Sequence, residues 1–210
     1  MCCLLIALAA YLLGSIPTGY LVARVRGIDI RTVGSGNIGA TNAMRVLGKP
    51  AGIFVLLMDA LKGYAACGWL VVLALKFFTL TPEQVQTDEI IAGIAAVLGH
   101  NYTCWLKFKG GKGIATTAGV FIALAPWALL VGLVVFILAV LATRHVSVGS
   151  MAAAIALPVT VWVMSPHQLF LGIVTTALGV LAIYKHRGNI QRLQAGTENR
   201  IGSQKTEGKK

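Results

Sequence analysis

The sequence predicts an all-α, polytopic membrane protein with seven transmembrane helices, an outside N-terminus and a cytoplasmic C-terminus. Of its 210 residues, 57% are hydrophobic and only 12% are charged, and the mean hydropathy is +0.79. A soluble domain needs more polar residues than this to cover its surface. The basic residues behind the net charge of +11 lie between apolar segments. That is the positive-inside pattern of a membrane protein and not a nucleic-acid-binding face.

Seven apolar segments are candidates for the membrane spans. A helix needs about 20 apolar residues to cross the hydrocarbon core, and fewer where it is buried among other helices. The candidate spans are 3–23, 51–76, 88–106, 113–125, 127–143, 149–164 and 168–184. No repeat of 20 to 50 residues is evident. We therefore expect a single membrane domain, 1–210, with a polar and mobile tail from about residue 200.

Pro126 divides one long apolar run and decides the topology. Proline removes a backbone donor and clashes with the preceding turn, so it marks either a kink or a reversal of the chain. A reversal puts the basic connections and the basic tail on one side, with Glu83, Asp88 and Glu89 on the other, and Lys76 is the one exception. A continuous helix would split the basic clusters across the membrane, against the orientation bias of short loops. The charge distribution thus favours seven spans.

The first cytoplasmic loop is rich in glycine. Its glycines match the dinucleotide fingerprint G-x-G-x-x-G, but that fingerprint needs a preceding strand in a soluble βαβ unit. The loop still has the features of an anion site. Its glycines let the backbone approach a phosphate, and a helix beginning near Asn37 would direct free N–H groups toward it. Ser35 adds a hydroxyl and Arg45 a forked cation. The substrate-binding residues predicted here are Gly34, Gly36, Asn37, Gly39, Thr41 and Asn42.

The second cytoplasmic loop also leads from glycines and lysines into a helix. It is not a Walker A loop, because Gly113 follows Lys112 where Ser or Thr would bind magnesium. The substrate-binding residues predicted here are Lys109, Gly110, Gly111 and Gly113. Each loop alone could be a flexible turn that meets lipid headgroups. Two such loops on one face favour phosphate binding.

Several polar residues in or near the spans have two interpretations. Asp59 and Lys62 are three residues apart on the second span, which predicts an intramembrane ion pair, and we favour a structural role for it. His100 is at least as consistent with packing as with binding a ligand. Ser147 is also assigned to substrate binding, although a serine in a membrane helix is more often an interhelical hydrogen-bond partner.

An absence limits the chemistry. Many lipid acyltransferases use His-x4-Asp, in which the carboxylate orients a histidine base. The fifth position after each histidine holds Trp105, Ser150, Gly172 or Gln191 instead. Any acyl transfer by this chain needs another proton acceptor.

Four stretches resemble the successive signatures of the bacterial acyl-phosphate:glycerol-3-phosphate acyltransferases of the PlsY type. They read SGNIGATNAMR, GHNYTCWLKFKGGKGIAT, RHVSVGS and HRGNIQRLQAGTE, and together they span almost the whole chain. The third departs slightly at His145 and Gly149. The resemblance implies transfer of a fatty acyl group from acyl phosphate to the 1-hydroxyl of glycerol 3-phosphate. The products would be lysophosphatidic acid and phosphate, in the first committed step of phospholipid synthesis at the bacterial inner membrane.

The resemblance also implies which residues form the polar site. The catalytic residues carried over from the family are Ser35, Arg45, Lys112, Ser150, His186 and Asn189. The acyl chain would lie in a groove between helices. We expect no metal and no cofactor, because the sequence shows no cage of oxygen ligands. The expected partners are the two substrates and membrane lipids, with no nucleic acid.

Two other classes of function stay open at this point. A transporter for a phosphorylated solute would also use helix ends to bind an anion, but it predicts polar residues at mid-membrane depth and internal symmetry. A membrane phosphatase would need an Arg, Ser and His constellation that is not obvious in the sequence. Assay with acyl phosphate and glycerol 3-phosphate separates these alternatives.

Overall fold

The computed structural model describes residues 2–202, which form helices joined by loops, with no strand among them. The all-α prediction is confirmed. In chain order the helices are α1 (Cys2–Ser15), α2 (Thr18–Val25), α3 (Ala40–Leu47), α4 (Lys49–Cys67), α5 (Trp69–Ala74), α6 (Pro82–Asn101), α7 (Ile114–Leu124), α8 (Pro126–Thr143), α9 (Val146–Met164), α10 (Leu169–Lys185) and α11 (Arg187–Gln194).

Within residues 2–202, four helical segments are long and apolar enough to cross a membrane. The number is five if the bent α10–α11 pair is one span. The four are Cys2–Val25, Lys49–Ala74, Pro126–Thr143 and Val146–Met164. Their apolar side chains point outward, and Leu141 and Val163 are 72% and 74% exposed. Large exposed apolar surfaces of this kind are typical of a lipid-facing bundle. The chain is therefore an integral membrane protein.

Two of the predicted spans are each made of two helices. The first, 3–23, breaks at Ile16 and Pro17 between α1 and α2, because proline cannot continue the hydrogen-bond ladder. The second, 51–76, breaks at Gly68 between α4 and α5. The apolar pattern locates these spans but does not show their interruptions.

The third predicted span, 88–106, differs most from the observed helix. α6 begins at Pro82, where the Thr81 hydroxyl accepts from the Gln84 backbone N–H (3.3 Å) and the Gln84 side chain accepts from the Thr81 N–H (2.8 Å). This capping box starts the helix in polar sequence, ahead of its apolar part. α6 ends at Asn101, and a short 3₁₀ helix, Cys104–Leu106, follows.

Small residues let the helices approach closely at the centre of the bundle. α1 packs against α6, α4 against α7, and α8 against α9. A Cβ on Gly119 would lie 1.8 Å from the Ala60 carbonyl oxygen, and one on Gly63 would lie 2.1 Å from that of Thr116. Such contacts between small residues are how membrane helices gain van der Waals packing.

The predicted ion pair inside the bundle is confirmed. Lys62 Nζ lies 2.9 Å from Asp59 Oδ1, and both side chains are almost completely buried. Lys62 also donates to the Ile16 carbonyl at 3.0 Å, at the break between α1 and α2. That carbonyl has lost its helical partner, so the lysine stabilises the break.

The C-terminal segment is described as far as residue 202. Its backbone stays in contact with the bundle, because Ile201 N–H donates to the Arg144 carbonyl at 2.9 Å. The remainder of the tail predicted to be mobile, 203–210, lies outside the described residues.

Candidate active site

The first glycine-rich loop wraps around a buried asparagine. The Asn42 side chain accepts from the Ser35 backbone N–H (2.9 Å) and donates to the carbonyls of Val33 (3.0 Å) and Asn37 (2.9 Å). Gly34 has φ +66°, and a Cβ there would lie 2.3 Å from Asn42 Oδ1. Asn42 is only 2% exposed, so its side chain shapes the loop from inside. The Ser35 side chain is exposed on the outer surface of the loop.

The helix after this loop starts later than predicted. We expected it to begin near Asn37, but α3 begins at Ala40 with Gly39 as the N-cap. The Asn37 side chain accepts from the Gly39 N–H at 2.8 Å and forms a local turn there. This turn competes with helix formation, which explains the delay. Thr41 and Arg45 lie on α3 and are exposed.

The second glycine-rich loop lies across the end of α6. The N–H groups of Gly110 and Gly111 donate to the carbonyls of Asn101 (3.2 Å) and His100 (3.0 Å). Gly113 has φ +84° and is the N-cap of α7, so this helix begins at Ile114, one residue after the start of the predicted span 113–125. Lys109 is exposed on this loop.

Lys112 connects this loop to the C-terminal part of the chain. Its ammonium donates to the Asn189 side-chain oxygen, although the two residues are 77 positions apart. Burial lowers the pKa of Lys112 to about 8. The positive charges of Arg192 and Arg45 act in the same direction, whereas Glu198 opposes them. The cluster therefore concentrates cations, as an anion site requires.

His186 lies just beyond the end of α10 and is 2% exposed. Its Nδ1 is 2.8 Å from the Ala182 carbonyl, and since a carbonyl only accepts, Nδ1 carries a proton there. Burial lowers the pKa of His186 to about 4, and the charge of Lys112 acts in the same direction. The ring is therefore neutral near pH 7 in the free protein, with Nε2 unprotonated.

Glu198 belongs to the site and is absent from the sequence-based prediction. Its carboxylate accepts from the Ser147 hydroxyl (2.8 Å), the Asn189 side-chain N–H (2.6 Å) and Arg192 Nε (2.7 Å). Burial would raise the pKa of Glu198, but these hydrogen bonds outweigh it and the pKa is lowered. The available signal was an acidic residue at the end of the basic stretch HRGNIQRLQAGTE.

Ser150 lies where the polar cluster meets an apolar cavity. Its hydroxyl donates to the Val146 carbonyl at 2.9 Å, and the side chain is buried. The cavity measures about 110 Å³ and is lined by α7, α8, α9 and α10. Its lining includes Ala182, whose carbonyl bonds His186. The cavity therefore opens beside the cationic cluster.

The fold thus brings most of the predicted catalytic residues to one place. Lys112 is hydrogen-bonded to Asn189, and Glu198 joins Asn189 to Ser147 through two further hydrogen bonds. His186 and Arg45 are close enough to interact electrostatically with Lys112. The side chains of Ser35, Thr41 and Lys109 form no hydrogen bond within the part of the chain that is described. In that same part, no group of three or more His, Cys, Asp and Glu residues could hold a metal ion.

Comparison with known proteins agrees with this geometry. The family model for glycerol-3-phosphate acyltransferase matches residues 4–196. A glycerol-3-phosphate acyltransferase from Geobacter metallireducens is 51% identical over 198 residues, covering 94% of this chain and 97% of that protein.

Two solved structures share the fold. The crystal structure of PlsY, an integral membrane glycerol 3-phosphate acyltransferase, in its glycerol 3-phosphate form has a TM-score of 0.84 and 39% identity, covering 95% of this chain and 96% of the other. The lysophosphatidic acid form has a TM-score of 0.82 and 38% identity, covering 95% of each chain. These matches confirm the resemblance seen in the motifs. The chain belongs to the glycerol-3-phosphate acyltransferase family and is an enzyme of that type.

Proposed function

We propose that this enzyme transfers a fatty acyl group from acyl phosphate to the 1-hydroxyl of glycerol 3-phosphate, giving lysophosphatidic acid and phosphate. The observation that supports this most is the cluster of Lys112, Arg45 and Arg192 beside an apolar cavity. The structures of the related enzyme in glycerol 3-phosphate and lysophosphatidic acid forms agree with such substrates and products.

The cationic cluster suits two phosphorylated substrates. Acyl phosphate is already activated, so the protein chiefly has to hold two anions together, offset their repulsion and orient the hydroxyl. Lys112 supplies an ammonium that is half-buried, where its charge is less screened than in water. Arg45 supplies a fork that can bind two phosphate oxygens. Glu198 holds Asn189 and Arg192 in place and partly balances the positive charge.

The apolar cavity is the proposed site for the acyl chain. Its walls come from four helices and include Leu157, Leu178 and Phe136. Ser150 lies in its lining, so an acyl chain there would have its carboxyl end close to the cationic cluster. Apolar lining with a few polar groups at one end is the usual form of a lipid site.

The donor phosphate is the proposed proton acceptor. The attacking hydroxyl oxygen forms a bond to the acyl carbon, its proton passes to a phosphate oxygen of the donor, and the bond between acyl carbon and phosphate oxygen breaks. His186 is the alternative base, but a pKa of about 4 makes it weak in the free protein. Bound phosphate would raise that pKa and turn Nε2 into a donor to the anion. We therefore assign His186 to binding.

The proposed topology has seven spans and an N-terminus outside. Both glycine-rich loops and the C-terminus lie in the cytoplasm. The cavity is lined both by Ile114, at the start of α7, and by Phe136, ten residues into α8. Both helices therefore face the same cavity, with the start of α7 near the middle of α8, which supports a reversal at Ala125 and Pro126. The basic loops share one side in this arrangement, so the active site would face the cytoplasm at the inner membrane.

An assay with two donors tests the reaction. Purified protein is incubated with glycerol 3-phosphate and acyl phosphate, and separately with glycerol 3-phosphate and acyl thioesters. We expect lysophosphatidic acid and phosphate from acyl phosphate alone. Turnover with thioesters but not with acyl phosphate would contradict the proposed donor.

Cysteine labelling of intact cells tests the topology. After replacement of the native cysteines, Val85→Cys and Lys205→Cys are treated with an impermeant thiol reagent. We expect modification of position 85 from outside and protection of position 205, which lies outside the described residues. Modification of both would refute the arrangement.

A further inference from the structure

His100 lies buried at the end of α6, directly against the second glycine-rich loop. Its carbonyl accepts from the Gly111 N–H at 3.0 Å, and the next carbonyl, that of Asn101, accepts from the Gly110 N–H at 3.2 Å. Both carbonyls belong to the last turn of α6, where they have no partner within the helix. The loop therefore rests on the end of α6 through two adjacent backbone hydrogen bonds.

The imidazole ring makes a second contact with the same glycine. A Cβ on Gly111 would lie 2.1 Å from His100 Nε2, far inside van der Waals distance. Gly111 does not have a positive φ, so its backbone is open to any L residue. A side chain at this position would therefore clash with the histidine ring.

The opposite side of the ring faces the ion pair within the bundle. His100 Nδ1 lies 3.7 Å from Asp59 Oδ1, and Asp59 pairs with Lys62 at 2.9 Å. His100 is 5% exposed and Asp59 is 2% exposed. The ring is held between a buried carboxylate on one side and the glycine-rich loop on the other.

We propose that His100 is a positioning residue for acyl transfer, which sets the position of Gly111 and thereby of the adjacent Lys112. Gly111 lies directly against Nε2, and the ring acts through the loop that it supports. This inference rests on the proposed function insofar as that function places Lys112 at a substrate phosphate.

The chain of contacts shows why small displacements matter. Lys112 must reach from its loop to the oxygen of Asn189. A misplacement of about 1 Å in a reacting or binding group can lower a rate about 10²-fold. Ion pairs and packed rings are more rigid supports than a solvated glycine loop. The Asp59–Lys62 pair therefore has a consequence at the active site, beyond stabilising the bundle.

A double-mutant cycle tests the proposal. The variants are His100→Asn, Gly111→Ala and the two together, and the measurement is the dissociation constant for glycerol 3-phosphate by calorimetry. The asparagine amide takes the place of the Nδ1 side of the ring and keeps a polar group facing Asp59, while its shorter side chain leaves room for the alanine methyl. We expect Gly111→Ala to weaken binding, and adding His100→Asn to recover at least about fivefold of that loss.

A neighbouring glycine supplies the matched control. A Cβ on Gly113 would meet Asn101 and not His100, and Gly113 has a positive φ. We expect His100→Asn to give no recovery of Gly113→Ala. Additive effects of His100→Asn and Gly111→Ala would overturn the proposal, because close approach of phosphate to the loop would then explain the glycine. Equal recovery at Gly113 would also overturn it, because the effect of His100→Asn would then not be specific to Gly111.

Two further readouts keep the test decisive. Thermal unfolding in detergent is measured for every variant. Recovery of binding without a matching change in stability indicates that His100 positions the loop, whereas a general packing effect would change both together. If Gly111→Ala does not fold, His100→Asn alone decides, since an unchanged dissociation constant overturns the proposal and a rise of about fivefold or more supports it. Binding of glycerol 3-phosphate needs no acyl donor, so failure of the proposed donor chemistry leaves this result intact.

Discussion

The two glycine-rich loops look alike in sequence but are held in different ways. The first is organised from within, because Asn42 bonds the backbone of its own loop, only five to nine residues away. The second is held from outside, by the end of α6 and by Asn189 on α11. Glycine content predicts that a backbone can approach an anion, but not what fixes that backbone in place.

The difference extends to the cations. Arg45 is exposed on α3, whereas Lys112 is half-buried and hydrogen-bonded. An exposed guanidinium is already well solvated, while a buried ammonium has lost solvation that a bound phosphate can replace. We therefore expect the second loop to contribute more to binding than the first, and the following predictions test that ranking.

Lys112→Ala is expected to have the largest effect. It removes the half-buried charge that the proposed function places at a substrate phosphate, and loss of such a donor lowers kcat/KM by about 10² to 10³-fold. Steady-state kinetics with both substrates measures it, with Lys107→Ala, an exposed cation before the loop, as the control. Near-normal activity of Lys112→Ala in a folded protein would remove this residue from the site.

Asn42→Ala should disrupt the first loop more than any change to its exposed side chains. The buried groups that lose a partner are each expected to lower the free energy of unfolding by about 1 to 3 kcal/mol. Asn42→Asp keeps the acceptor for the Ser35 N–H but sets a buried carboxylate oxygen against the carbonyls to which Asn42 donates, so it should be at least as unstable as Asn42→Ala. Thermal unfolding in detergent gives the order, and equal stability of all three proteins would contradict a loop organised from within.

Arg45→Lys should have a smaller effect than Lys112→Ala. The substitution keeps the charge but loses the two-pronged fork, and we expect kcat/KM to fall about 10-fold to 10²-fold through weaker phosphate binding. The protein should stay folded, since Arg45 is exposed. A larger loss than that of Lys112→Ala would reverse the ranking of the two loops.

The pH dependence of KM offers a sharper comparison. Lys112 has a pKa of about 8, so the ammonium is present below that pH and is lost as the pH rises through it. KM for glycerol 3-phosphate should then rise by up to about tenfold per pH unit above 8. Because arginine stays protonated, Lys112→Arg should remove this rise. A flat KM in the wild type between pH 7 and 9.5 would contradict the lowered pKa.

His186→Asn and His186→Gln are expected to have the smallest effect. If the donor phosphate accepts the proton, the amide of either variant supplies a neutral donor to phosphate in place of Nε2, and turnover stays measurable. Loss of a general base would instead lower the maximal rate about 10² to 10⁴-fold with binding largely intact. Single-turnover kinetics across pH distinguishes the two. A loss of that size in the chemical step, with loss of a wild-type pH limb near the histidine range, would make His186 the base.

Local patterns in the sequence were enough to predict the all-α membrane fold, the Asp59–Lys62 pair and a helix that follows the second glycine-rich loop directly. Hydropathy and residue spacing report on burial and on one helix at a time, and these features depend on nothing more distant. The motifs also identified Lys112 and Asn189, which the structure joins.

Only the tertiary structure decided how these residues meet. Glu198 joins Ser147, Asn189 and Arg192, and His100 lies between Asp59 and Gly111, across separations that no local pattern reports. The capping box that starts α6 at Pro82 and the Asn37 turn that delays α3 to Ala40 are local features of the sequence, which the apolar pattern does not report. The long-range contacts depend on which helices pack together, whereas the apolar pattern records only which surfaces avoid water.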